Sequence, residues 1–181
     1  MAEPVRRTPA LDGRRVERAG ITIVPAGSAS RISLRGPAAS LAALSKALGL
    51  ALPERPKSSA AKGARAALWL GPDEWLVLDE ENADLMGACA RAGVLHSAVD
   101  ISHRNTAIII SGPRAEDVLS AGCPQDLAPA AFPVGAASRT VFGKVEVVLW
   151  RTEASTFRME VWRSFSDYAF TLLEAAARDP G

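Results

Sequence analysis

At 181 residues, with 48% apolar and 23% charged side chains, the chain is long enough for one ordinary domain that buries roughly 70% of its unfolded surface, and its composition excludes wholesale disorder. A net charge of +1 excludes a nucleic-acid binder driven by counterion release from a concentrated basic face. Unbroken apolar runs, such as Ala107 to Ile110, fall far short of the ~20 residues of a membrane helix.

Residues 1–18 carry Arg6, Arg7, Arg14, Arg15 and Arg18 beside Pro4 and Pro9. They hold too little apolar surface to fold alone and are expected to form a flexible arginine-rich arm, one that can order along an acidic groove of a partner. No apolar segment follows the arginines, so the start does not read as a secretory signal. From Ile32 the alternation Ile-Ser-Leu-Arg predicts a half-buried strand, broken at Gly36-Pro37 and followed by Leu41, Leu44 and Leu48 at helical spacing. Residues 53–66, PERPKSSAAKGARA, are expected to form a mobile surface loop without chemistry. Leu68-Trp69 and Trp75 then flank a turn at Gly71-Pro72-Asp73-Glu74, and Leu85, Cys89 and Ala92 share one face of a helix.

The second half follows the same order. Ile108-Ile109-Ile110-Ser111-Gly112-Pro113 repeats the strand and its Gly-Pro ending 76 residues after Ile32, and Leu149-Trp150 and Phe157 recur at offsets of 81 and 82. An additional strand is expected here, because Arg139 to Phe142 and Val145 to Trp150 read as the arms of a hairpin around Gly143-Lys144. A last helix carries Leu172, Leu173, Ala176 and Ala177. The common order and near-constant offset predict an α+β fold of two duplicated halves, each an antiparallel sheet with packed helices. The arm then covers 1–18, and a single domain of two pseudo-repeats, about 19–94 and 95–181, covers the rest.

Chemistry is sparse along this frame. His96 and His103, the only histidines, stand apart from each other and from Cys89, so no metal site is expected. Asp100-Ile101-Ser102-His103 offers the residue types of a nucleophilic triad, but neighbours on a strand point to opposite faces and no glycine-rich elbow presents the serine. Asp100 and Ser102 read instead as turn and cap formers. There is no phosphate-binding glycine motif, so flavin or nicotinamide, if used, must be bound elsewhere. Cys89 and Cys123 suggest reduced thiols in a cytoplasm. Trp69, Trp75, Trp150 and Trp162 are expected to fill the core, and any left exposed would mark a contact surface.

Taken in order, LGPDEWLVL (Leu70 to Leu78), VDISHRNTAIIISGPRAEDVLSAGCPQDL (Val99 to Leu127), FPVGAASRTVFGKVEVVLWR (Phe132 to Arg151) and TFRMEVWRSF (Thr156 to Phe165) resemble the gamma subunit of heterotetrameric sarcosine oxidase. The resemblance is more distant to the folate-binding domain of the glycine-cleavage T-protein. The nearer resemblance implies a complex that oxidatively demethylates sarcosine to glycine, forming hydrogen peroxide and methylenetetrahydrofolate. FAD, FMN, NAD and tetrahydrofolate would lie in partner subunits, with larger alpha and beta subunits and a small delta subunit as partners.

In the T-protein family an aspartate two or three residues after a Gly-Gly hairpin assists folate chemistry. The matching stretch here, Gly143-Lys144-Val145-Glu146-Val147, offers Glu146 or Val147. An asparagine after the next strand is replaced near Val161-Trp162. Glu146 is thus the one candidate relic of a folate site, and no catalytic residue is assigned. The expected role is a non-catalytic structural subunit. The alternatives are a free-standing folate-dependent aminomethyltransferase using Glu146, and the equivalent subunit of an N-methylglutamate dehydrogenase.

Overall fold

Two antiparallel sheets face each other between two pairs of helices in the computed structural model, which describes residues 9–178. The first half of the chain supplies β1 (Val16–Arg18), β2 (Ile21–Pro25), β3 (Ser30–Arg35), a 3-10 turn (Ala38–Ser40), α1 (Leu41–Leu48), β4 (Ser59–Lys62), β5 (Arg65–Gly71), β6 (Glu74–Asp79) and α2 (Leu85–Arg91). The second supplies β7 (Ser97–Asp100), β8 (Asn105–Ser111), α3 (Ala115–Ser120), β9 (Ala137–Phe142), β10 (Val145–Glu153), β11 (Thr156–Trp162), a 3-10 turn (Arg163–Phe165) and α4 (Ser166–Ala176).

Alternation along the strands divides the interior into three apolar layers. Ile32, Leu34, Trp75 and Val77 turn toward α1 and α2, where they pack on Leu44, Leu48, Leu85 and Cys89. Ile108, Ile110, Phe157, Met159 and Val161 turn toward α3 and α4 and meet Val118, Leu119, Phe170 and Leu173. A thinner layer between the sheets holds Ala66, Leu68, Leu76, Leu78, Ile101, Ala137 and Val148. Every residue of β6 is buried because both of its faces are covered, which is why it reads as a continuous apolar run rather than as an alternation. No described helix is long and apolar enough to cross a membrane.

Three expectations are corrected. The hairpin of β9 and β10 is not an addition to the second half, because β4 and β5 form its counterpart within the stretch expected to be a loop. Both turns have two residues, between Lys62 and Arg65 and between Phe142 and Val145, and both open on a glycine with φ near +59°, Gly63 and Gly143. The loop expectation fails because an edge strand of small residues needs only one row of backbone hydrogen bonds, which Ser59-Ala60-Ala61-Lys62 supplies without an apolar pattern. The flexible arm also ends before residue 18. Val16–Arg18 pairs with β2, Leu11 and Val16 are buried, and the Arg14 guanidinium sits 4.6 Å from the Phe170 ring centre while pairing with Asp167 and Glu174 on α4. Two apolar anchors and a neutralised arginine suffice to hold this segment; residues 1–8 lie outside the described residues. The third correction concerns the tryptophans, since Trp162 is 40% exposed.

The sheet orders are β1-β2-β8-β11-β10-β9 and β4-β5-β6-β3-β7. They reveal an exchange. β2 precedes β3 in the chain but pairs with β8, and β7 precedes β8 but pairs with β3. Each half therefore lends its leading strand to the other half's sheet, and cutting the chain between the pseudo-repeats would strip both sheets of a strand.

The two Gly-Pro breaks are not equivalent. Gly112 has φ +117°, and a Cβ there would stand 2.4 Å from the carbonyl oxygen of Gly20 in the β1–β2 turn. At Gly36, the close neighbour of a Cβ would be the Cδ1 end of Leu44, at 3.0 Å, with the His96 Cβ and the Leu95 carbonyl oxygen at an ordinary 3.8 Å. Gly112→Ala is expected to cost about 2 kcal/mol or more, from backbone strain plus backbone collision. Gly36→Ala is expected to cost about 1 kcal/mol, because a side-chain end can move aside. Urea denaturation of both variants measures the difference.

Candidate functional site

The residues that face inward between the sheets carry most of the buried charge. On β3 these are Arg31, Ser33 and Arg35, and on β11 they are Arg158, Glu160 and Trp162, the partners in alternation of the apolar side chains that face the helices. Glu160 is 1% exposed and accepts from two arginines, Arg31 Nε at 2.6 Å and Arg158 Nε at 2.8 Å. Arg31 Nη1 also donates to the Ala29 carbonyl at 3.0 Å, and Arg158 Nη1 donates to Glu80. One carboxylate thus ties a strand of one sheet to a strand of the other. Burying such a set is favourable only when hydrogen bonding is nearly complete, and removing one member leaves an uncompensated charge.

Glu146 lies on the inward face of β10 at one end of this interface, on the lip of a cleft shared with Arg139, Glu74, Arg104 and Trp162. Its Oε1 is 3.9 Å from Arg139 Nε. Arg139 is held mainly by Glu74, which also accepts from Arg35 Nη2 at 2.8 Å, so Glu146 is the outer member of a four-residue charge cluster. The hydrogen bond to Glu74, with the nearby Glu74 and Glu146 charges, raises the Arg139 pKa above its ordinary value against the effect of burial. Val147 borders the cleft too, but it is buried in the core that packs against the helices and offers no polar group. The open volume of the cleft is about 50 Å³, against roughly 300–1,000 Å³ for sites that enclose a drug-sized ligand. These residues do not fit a tetrahydrofolate.

The Asp100-Ser102-His103 stretch is a turn. Asp100 Oδ1 accepts from the Ser102 backbone N–H at 2.8 Å and from its hydroxyl at 2.6 Å, and Ser102 Oγ accepts from the Arg31 backbone N–H at 2.9 Å. The serine hydroxyl is engaged in joining β3 to the segment after β7. These hydrogen bonds from Ser102 hold the Asp100 carboxyl below its ordinary pKa. His96 Nδ1 lies 2.7 Å from the Val94 carbonyl oxygen, and no group of three or more His, Cys, Asp or Glu is gathered as a metal site among the described residues.

At the rim of the cleft, Trp162 stacks on Phe165 with ring centres 6.0 Å apart, and the Arg104 guanidinium sits 5.2 Å from the Trp162 ring centre. Tyr168, one helical turn after Phe165, is also exposed. Arg31, Arg158 and Glu160 escaped the sequence reading, although their signal was present: charges alternating with Phe157, Met159 and Val161 in a strand that is otherwise apolar.

A family model described as sarcosine oxidase, gamma subunit family matches residues 34–179. The chain is 42% identical over 115 residues to the sarcosine oxidase subunit gamma of an Arthrobacter species, covering 61% of this chain and 56% of that protein. It is 35% identical over 130 residues to the subunit gamma of Corynebacterium sp. strain P-1, covering 70% and 64%. The matched stretches thus span about 56% to 64% of these curated relatives' length. Among solved structures, it superposes with a TM-score of 0.82 on a chain of the heterotetrameric sarcosine oxidase from Corynebacterium sp. U-96, at 31% identity over 87% of this chain and 83% of that one. The aminomethyltransferase T of the Bartonella henselae glycine cleavage system matches with a TM-score of 0.62 at 14% identity, covering 90% of this chain and 50% of that one, which shows a shared fold.

Glu160→Leu leaves two buried guanidinium groups without their shared partner and is expected to cost about 3–5 kcal/mol. Glu146→Gln removes an exposed, long-range pair and is expected to change stability by less than about 0.5 kcal/mol. Chemical denaturation of the two variants checks the contrast. Ser102→Ala is expected to raise the Asp100 pKa toward its ordinary value. A carboxyl with a lowered folded pKa contributes stability above its unfolded pKa and loses it as pH falls through the folded pKa. The variant should therefore lose stability at neutral pH and show a shallower acid-side decline, as read from NMR titration and denaturation at several pH values.

Proposed function

Because the chain belongs to the sarcosine oxidase gamma subunit family, we propose that it is the gamma subunit of a heterotetrameric sarcosine oxidase and performs no step of the chemistry itself. The observation that carries this reading is the state of the inter-sheet cleft. The position expected to act on folate is Glu146, an exposed carboxylate beside Arg139 at the lip of a cavity too small for a pterin. Glu160, which lines the same cleft, is taken up by Arg31 and Arg158. In this reading the alpha, beta and delta subunits hold FAD, FMN, NAD and tetrahydrofolate and oxidise the N-methyl group of sarcosine, releasing glycine, hydrogen peroxide and methylenetetrahydrofolate. The complex works in the cytoplasm, which agrees with two free cysteines, Cys89 and Cys123, buried in separate cores.

What this chain contributes is shape. A docked subunit restricts its neighbours' relative motion, and the benefit is greatest when the docking surface is rigid beforehand. Trp162, Phe165 and Tyr168, exposed at the end of β11 and the start of α4 with Arg104 against the tryptophan, have the composition of an interface anchor. Their backbone is fixed by the Arg163 N–H bond to the Arg104 carbonyl at 2.7 Å, so little ordering is left to occur on docking.

Co-expression with the genomically adjacent subunits, followed by purification through one of them, tests the reading. The wild-type chain should co-purify, and Trp162→Ala with Phe165→Ala should weaken its retention by at least about 30-fold, the equivalent of ~2 kcal/mol for a lost hot spot. A chain that stays monomeric beside its neighbours would refute the proposal.

A further inference from the structure

At the opposite end of β10 and β11 from Glu146, a slot of about 210 Å³ opens between the β4–β5 hairpin of one sheet and these two strands of the other. Small residues, among them Ala64 and Ala66, form one wall and leave the space unfilled, and Leu78 and Ile109 make its lining apolar. Trp150 and Arg158 form the facing wall. They are direct partners in the β10–β11 register, so their side chains stand next to each other on the same face. Each carries a buried N–H without an acceptor, Nε1 of Trp150 and Nη2 of Arg158. The other nitrogens of Arg158 are in use, Nε by Glu160 and Nη1 by Glu80.

An apolar slot with two unsatisfied donors on neighbouring residues of one wall is an arrangement for a ligand, because native interiors leave few such groups unpaired. We propose that this slot binds a carboxylate, with one oxygen accepting from Trp150 and the other from Arg158. A carboxylate is planar and offers two acceptors, matching two adjacent donors. A neutral amide offers one carbonyl oxygen for two donors. A phosphate would bring a larger charge beside Glu80 and Glu160. The apolar walls admit a short aliphatic chain behind the carboxylate.

Glu80 regulates access in this arrangement. Around the slot Arg31, Arg65 and Arg158 are balanced by Asp79, Glu80 and Glu160, so an incoming carboxylate is in excess of the balance. Of these three acids Glu80 is the exposed one, its side chain 58% accessible against 6% for Asp79 and 0% for Glu160. It is the group free to swing outward, which would release Nη1 of Arg158 and let the guanidinium hold the ligand with two nitrogens.

The site stands apart from the assembly proposed above, since it is made wholly by this chain. Titrating the full-length chain with sodium propionate, against sodium chloride at equal ionic strength, tests it. The indole N–H resonance of Trp150, assigned by its loss in Trp150→Phe, should shift saturably with propionate in the millimolar range and not with chloride. Glu80→Gln, a substitution at an exposed side chain that leaves the fold intact, should tighten the propionate response several-fold by removing the competing charge. A shift that does not saturate, a shift that chloride reproduces, or an unchanged or weakened response in Glu80→Gln would overturn the proposal. Repeating the titration on the chain purified with its neighbours identifies the source. A response lost in the assembly assigns the slot to a carboxylate of a partner chain, and a response kept assigns it to a free small carboxylate; both uphold a carboxylate site.

Discussion

Glu160 is the interaction on which the two-sheet architecture depends. The apolar layer between the sheets is the smallest of the three, with Leu68, Leu76, Leu78, Ile101 and Val148 beside Ala66 and Ala137. Across the same interface, one buried carboxylate joins Arg31 of β3 to Arg158 of β11. A buried ion set of this kind adds little stability compared with a hydrophobic replacement, but losing one member leaves an uncompensated charge between the sheets. Its hydrogen bonds join β3 of one sheet to β11 of the other.

The exchange of leading strands adds a covalent constraint to this electrostatic one. β2 completes the sheet of the second half, and β7 completes that of the first. Neither sheet can move away without pulling a strand from its partner. Ser102 reinforces the link by accepting from the Arg31 backbone, which places the same β3 arginine in both the ion set and the exchanged-strand junction. The result is a platform whose outer features are held by the interior. Trp162 ends the strand that carries Arg158 and Glu160, so the exposed aromatic surface inherits the rigidity of the buried charges.

The repeat was legible in the sequence where the chain marks it with backbone chemistry: the Gly-Pro breaks after β3 and β8, the Gly71–Glu74 turn, and the Gly143-Lys144 hairpin. Its hidden member, β4, was not, because Ser, Ala and Lys at an edge leave no hydrophobic signature. The trace it does leave is Gly63, 80 residues before Gly143 and at the same turn position. Strand exchange is invisible to local patterns, since pairing β2 with β3 or with β8 satisfies the same alternation. The site was legible only in outline. Glu146 lines the cleft, but the ion pair buried between the sheets joins Arg31 and Glu160, 129 residues apart in sequence, which no local pattern links. β1 escaped because three polar-flanked residues gain their order from Phe170 and the acids of α4 rather than from their own composition.

In the proposed role this chain shapes an oxidase without taking part in its reactions, and Glu146 is the residue at which that role is most open to test. The direct measurement is turnover of sarcosine and yield of methylenetetrahydrofolate by the assembled complex carrying Glu146→Gln in this subunit. The account predicts both unchanged from wild type within a factor of about two, well below the roughly 10²-fold or larger loss expected when a general acid or base is removed. A loss of that size, with the complex still intact, would make this chain a catalytic partner and contradict the account.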